Sequence, residues 1–225
     1  ESDPDYIKQL ESLPDELRRM WLEGDWDVFQ GQYFDQFKKD THVIEPTEIP
    51  DSWYRYRSID YGYRAPFCCL WGAVDYDQNL YIYREHYEAG KDLHYHINKI
   101  KELSGDEEYM ATIIDPSTYI SNPQNTNRSD IVAPSNKSIA DIMLFNGIPT
   151  VRANNNRMSG WNLLREYLNE KSQVDQKGGN LKIFKNCANL IREFQTAVYD
   201  KHKVEDLDTK DQITGWIPQD IWRCI

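Results

Sequence analysis

Several things are missing from this sequence, and each absence removes a class of function. No run of eighteen apolar residues occurs, so no segment reads as a membrane-spanning helix. The opening Glu1-Ser2-Asp3-Pro4-Asp5 has neither the basic start nor the apolar stretch of a secretory signal. Of the four cysteines, Cys68 and Cys69 are adjacent and none has C-x-x-C spacing with Cys187 or Cys224. That pattern argues against a zinc site or a disulfide frame and for reduced, mostly buried thiols in a cytosolic protein. No G-x-x-x-x-G-K-[ST] phosphate loop is present, so the chain is expected neither to bind nor to hydrolyse ATP. Positive charge is scarce as well: 26 Lys and Arg stand against 37 Asp and Glu, a net charge of −11. A protein that coats any polyanion by charge alone is thereby excluded.

The distribution of charge says more than its sum. Residues 1–60 carry roughly −8 and residues 126–203 roughly +5. Acid gathered around a metal site inflates the negative total without repelling a phosphate once cations are bound. DNA binding is therefore compatible with the composition, and expected to be weak for this chain alone.

What is present reads as an α/β protein. Residues 4–24 form two short helices split at Ser12-Leu13-Pro14, with Ser12, Asp15 and Glu16 marking the second start and Gly24 its end. Residues 25–52 read as a linker that hugs the domain through Trp26, Phe29, Tyr33, Phe34 and Phe37. Two units follow: an interdomain helical segment over 1–52 and a catalytic-type domain over 53–225. In the latter, alternation predicts strands at 54–61, 67–76 and 79–88, the second and third joined by a turn at Asp75-Tyr76-Asp77-Gln78-Asn79. A helix at 91–104 aligns Leu93, Ile97, Ile100 and Leu103. A fourth strand covers 110–115, and a polar loop 116–135. Then come a helix at 136–146, a strand at 148–152, a helix at 158–171, a strand at 180–184 and a helix at 186–199. A final helix opens at Pro218. Three antiparallel strands, a helix, then parallel strands alternating with helices is the order of an RNase H-like fold with a mixed central sheet.

Two carboxylates stand out. Tyr54-Arg55-Tyr56-Arg57-Ser58-Ile59-Asp60 alternates like a strand and ends on Asp60; Met110-Ala111-Thr112-Ile113-Ile114-Asp115 does the same with Asp115. A desolvated carboxylate is costly unless paired, hydrogen-bonded or metal-bound, so two strand-end acids facing one cleft suggest metal chemistry. The plainer alternative is two aspartates capping the turns that follow. RNase H-like enzymes hold two divalent cations between acids of the first strand, the fourth strand and a C-terminal helix. The third acid would then come from Asp206, Asp208, Asp211 or Asp220.

Five segments resemble a known family. Leu13-Pro14-Asp15-Glu16-Leu17-Arg18-Arg19 with Glu23 to Phe34 is similar to the segment joining the two domains of tailed-phage large terminases. Ile59-Asp60-Tyr61-Gly62 with Ala65-Pro66-Phe67, Ile114-Asp115-Pro116, Asn156 to Trp161, and Phe184 to Glu193 resemble that family's C-terminal nuclease domain, in order. The resemblance implies an RNase H-like endonuclease that cuts concatemeric double-stranded DNA during genome packaging, with two Mg²⁺ or Mn²⁺ ions. It implies Asp60, Asp115 and Asp220 as catalytic and metal-binding residues, Asp60 bridging the ions. Pro218-Gln219-Asp220-Ile221-Trp222-Arg223 matches the second half of the family's last helix, while Ile217 stands where a histidine is usual and Trp216 where an acid is usual, so Asp211 stays in reserve. It further implies a missing ATPase half, a small terminase and a portal protein as partners, and the host cytoplasm as location.

Other residues read two ways. Arg157, before a helix N-terminus, suits phosphate contact, and Arg128, Lys137, Arg152 and Arg165 extend a DNA-binding strip, each also readable as a solvated surface charge. Glu85 is read as an edge-strand charge paired with Arg84 or His86, with a water-orienting role near the metals as the alternative. His94 and His96, two apart on a helix, are expected at the surface. Trp161 is expected in the core rather than under a base. Beside the endonuclease stand a non-catalytic docking module for DNA or the portal, and another RNase H-like nuclease such as a resolvase or transposase core.

Overall fold

The computed structural model describes residues 32–62, 65–120, 137–154, 157–169 and 180–199. Among these, one sheet of seven strands organises the chain. Its strands are β1 (Val43–Ile44), β2 (Tyr54–Asp60), β3 (Phe67–Val74), β4 (Leu80–Glu88), β5 (Ala111–Ile114), β6 (Val151–Arg152) and β7 (Leu181–Phe184). The helices are α1 (Lys39–His42), α2 (Leu93–Ser104), α3 (Ile139–Phe145), α4 (Arg157–Leu168) and α5 (Ala188–Thr196), with a 3₁₀ turn at Pro116–Tyr119.

The spatial order is β1-β7-β4-β3-β2-β5-β6. β2, β3 and β4 form an antiparallel meander. β5 joins β2, β6 joins β5, and β7 joins β4, all parallel. The expected mixed sheet is therefore observed. β3 reads Phe-Cys-Cys-Leu-Trp-Gly-Ala-Val and is buried at all but its last residue, as a strand covered on both faces must be. Cys68, Cys69 and Cys187 are free thiols and buried, as expected; Cys224 lies outside the described residues.

The sheet's two faces are covered by different helices. α2 is anchored by Asp92, whose carboxylate accepts from the Tyr95 N–H, and ends where Gly105 adopts φ 52°. It packs Ile97 and Ile100 inward, together with His96. That corrects the surface placement of His96: it falls three residues after Leu93 and four before Ile100, on the apolar stripe, and is fully buried. α5 covers the opposite face. Its stripe is Leu190, Glu193, Phe194 and Ala197.

Residues 39–44, inside the segment read as a linker, form α1 and β1, and β1 pairs with β7 through Val43–Ile183 and Ile44–Phe184. The Tyr33 N–H donates to the Ala197 carbonyl at 2.7 Å. Tyr33, Phe34 and Phe37 are buried, as the aromatic anchors predicted. Phe37 stacks on Phe194 at 4.7 Å, and Tyr33 meets Trp161 of α4 edge-on at 5.4 Å. Trp161 is core, as expected. Trp26, Phe29, the two helices before Gly24 and the helix from Pro218 lie outside the described residues.

Candidate metal centre

The central strands bring two predicted acids together. β2 and β5 run parallel with Ile59 opposite Ile114, so Asp60 and Asp115 each follow by one residue at the same end of the sheet. Both are buried, at 6% and 8% exposure. Parity places them on one face: in register with Ser58↔Ile113, they lie on the side covered by α5, whereas Arg57 and Thr112 point to the α2 side. Asp60 ends a strand hydrogen-bonded on both flanks, to β3 and β5, which fixes its backbone. Just beyond it Gly62 lies against backbone: a Cβ there would stand 2.5 Å from the Ala65 carbonyl oxygen. Asp115 leaves the strand and accepts the Ser117 N–H at 2.7 Å, capping the 3₁₀ turn. The capping reading of Asp115 thus holds alongside its place beside Asp60.

The same face carries more acid than the sequence reading assigned. Across the sheet, Asp60 stands opposite Cys68, and Cys68 opposite Tyr87. Two residues back, Ser58, Leu70 and Glu85 form the parallel row. Glu85 is neither at an edge nor paired with Arg84. Its Oε1 accepts from the Asn189 N–H at 2.8 Å and its Oε2 from the Leu190 N–H at 3.0 Å, so it caps α5 across 104 residues of chain. Arg84 points to the other face and forms a two-pronged pair with Glu107 at 2.8 and 3.2 Å.

Glu193, on the buried stripe of α5, accepts the Tyr87 hydroxyl at 3.0 Å. Burial pushes its pKa up to about 7, partly offset by Arg192. Burial likewise raises Glu85. The Cys68 thiol is pushed up by burial first, then by the negative charge of Glu85 and Asp60 and, more weakly, by Cys69 and Glu193. Glu193 was not singled out from the sequence. Its signal was available: a carboxylate occupying an apolar position of the i, i+3, i+4, i+7 stripe of α5. Part-neutral at pH 7, it limits repulsion around the neighbouring acids.

Asp220, Asp211 and Arg128 lie outside the described residues. Among the described residues, no group of three or more His, Cys, Asp or Glu is placed to hold a metal ion. Of the proposed DNA strip, Arg152 is exposed on the edge strand β6, its guanidinium 4.7 Å from the Tyr119 ring. Lys137 is half-buried over the Phe145 ring at 2.9 Å. Arg165 stacks over Tyr33 at 4.2 Å and donates to the Tyr199 hydroxyl at 2.9 Å. Arg157 opens α4, and its side chain is outside the description.

No protein-family model and no curated protein matches the chain. Solved structures do. The large terminase of a thermophilic bacteriophage superposes with a TM-score of 0.64 at 19% identity, over 86% of this chain and 44% of that one. The P22 large terminase nuclease domain gives 0.58 at 17% identity, over 81% of this chain and 86% of that domain. The large terminase nuclease of thermophilic phage G20c gives 0.57 at 12% identity, over 87% of this chain and 97% of that one, and has also been solved with bound zinc. The chain spans less than half the length of the first of these. It has the RNase H-like α/β fold of phage large-terminase nuclease domains.

Proposed function

We propose that this chain is a metal-dependent endonuclease domain that cuts double-stranded DNA during phage genome packaging. The observation that carries the reading is the in-register pair Asp60 and Asp115, buried on one face at the ends of two adjacent parallel strands, in a fold that matches terminase nuclease domains. The donors that this pair offers are carboxylate oxygens, which fit a hard divalent cation, Mg²⁺ or Mn²⁺. Asp60 and Asp115 would hold the ions, with Asp220 completing the set. When bound, such ions supply a hydroxide nucleophile and stabilise the departing 3′ oxygen of the phosphodiester.

The chain's own residues supply position and charge. Asp60 is carried on a strand bonded on both sides, and the Asp115 carboxylate is oriented by the Ser117 N–H, so the backbone under the pair is preorganised. Glu193 holds its proton up to about pH 7, which keeps part of the negative charge out of the neighbourhood. Lys137, Arg152, Arg157, Arg165 and Arg128 would contact backbone phosphates, which carry no sequence information, so cutting should be nearly sequence-blind. In a full motor the partners would be an ATPase domain, a small terminase and a portal protein, in the host cytoplasm.

The test is cleavage of supercoiled plasmid with Mn²⁺, Mg²⁺ or EDTA beside Asp60→Asn. Metal-dependent cutting that disappears in a folded Asp60→Asn variant is the expected result. Near-wild-type cutting by that variant would sink the assignment.

A further inference from the structure

At the opposite end of the sheet from β6 lies a groove of about 690 Å³. α1, β1, the end of β7 and the outer side of α5 form its walls. Three cations line it from three separate elements: Lys39 of α1, Lys185 just after β7, and Arg192 of α5. Asp40 is the one carboxylate in the lining, and Val43 and Ile191 form part of an apolar floor. Lys185 also reaches the Glu45 carboxylate at the rim, where both side chains are more than half exposed. Arg192 is ion-paired with Glu193, Nη2 to Oε1 at 3.6 Å, and its guanidinium lies 5.7 Å from the Tyr87 ring. A further amine, Lys182, is tied to the Thr41 carbonyl at 2.9 Å beside the same edge. Lys39, Lys185 and Arg192 thus converge on one concave surface, with Asp40 in its lining and Glu45 and Glu193 beside Lys185 and Arg192.

We propose that this groove binds phosphate, and that the phosphate is that of the DNA backbone, held away from the cutting centre. The inference rests on the nuclease reading above. Lysines on exposed edges act as point charges toward phosphate, and a guanidinium adds directed hydrogen bonds. Strand spacing places β1 four steps from β2, about 19 Å, so a duplex contacting the groove and Asp60 together spans roughly half a helical turn or more. The DNA strip around Arg152 lies at the far edge, so the two cationic edges would grip a duplex on either side of the acid pair.

The experiment compares wild type with a K39E/K185E double variant, both positions being exposed and apart from the acid pair. Binding of a labelled duplex is followed by anisotropy across a salt series in EDTA, and plasmid cutting is followed with Mn²⁺. The expected result is about tenfold weaker duplex binding and a salt dependence shallower by about two counterions. Should the reversal variant fail to fold, K39Q/K185Q carries the same test with a smaller loss. Unchanged affinity and salt slope in a variant of a wild type that cuts DNA overturns the groove alone. A wild type that neither binds nor cuts DNA overturns both readings. If the variant loses binding of a nucleoside triphosphate and keeps duplex binding, the phosphate belongs to a free nucleotide and the DNA assignment falls.

Discussion

The two faces of the central sheet solve opposite problems. On the α2 face the polar groups engage one another. Arg57 donates to Thr112 and Ser104 at 3.0 Å each, Trp71 donates to the same Ser104 oxygen at 3.0 Å, and Arg57 lies 4.2 Å over Tyr109. His86 and His96 share a hydrogen bond of 2.9 Å between rings, and Phe67 stacks on His96 at 4.1 Å. Burial lowers the pKa of both imidazoles, that of His96 to about 4, so the pair is neutral at physiological pH. On the α5 face lie Asp60, Asp115, Glu85 and Glu193, with Cys68 opposite Asp60 in the sheet, and burial raises Glu85 and Glu193. One face is closed for stability; the other stores negative charge that a cation would relieve.

The largest expected effect separates the faces by readout. Asp115→Asn should lower metal-dependent cutting by about a thousandfold, roughly 4 kcal/mol of transition-state stabilisation, and leave thermal stability unchanged or slightly raised. Cleavage kinetics beside a melting curve decide it. A variant that unfolds would mean that Asp115 serves the 3₁₀ turn more than the chemistry.

Arg57→Ala should do the reverse. It removes two hydrogen bonds and a cation–ring contact inside a closed network, so a loss of about 3 kcal/mol in stability is expected. Denaturant unfolding reads it directly, and an unchanged midpoint would refute the idea of a closed face.

The third expectation uses pH and has opposite signs on the two faces. Glu193, raised to about 7, binds more protons folded than unfolded between its ordinary 4.5 and 7. Its contribution is full below about 4.5 and is lost as pH rises through 7. His96, lowered to about 4, binds fewer protons folded, so its contribution is full above its ordinary 6.5 and lost as pH falls through 4. Each amounts to on the order of 3 kcal/mol. Glu193→Gln should remove the loss of stability that Glu193 contributes as pH rises from 4.5 to 7, leaving the opposite slope of His96 over nearly the same window; a stability profile unchanged over that window would contradict the assignment.

Much of this arrangement was legible in the sequence because its signals are local. Alternation over 54–60 and the short apolar run before Asp115 are properties of a few consecutive residues, and they located both acids. What was not legible depends on distant partners. β1 is two residues long and has no periodicity of its own; it becomes a strand through β7, about 140 residues later. Glu85 looks like a neighbour of Arg84 until α5 is folded over it, when it caps a helix from the far side of the chain. His96 was readable from its spacing to Leu93 and Ile100, had the stripe been given more weight than the polarity of imidazole. The third acid and the loop arginine, Asp220 and Arg128, fall outside the described residues.

The way the chain enters the domain bears on how it answers to force. Gln32 is bridged to Val198 in antiparallel fashion, and a few residues on, three buried rings seat against Phe194 and Trp161 before β1 joins the sheet. A pull applied at Gln32 meets first a single bridge, which opens one bond at a time. Next come Tyr33, Phe34 and Phe37, which interlock and must leave together. The entry therefore behaves as a catch with a threshold: below it the domain moves as one piece with whatever pulls it, and above it the segment releases in one step.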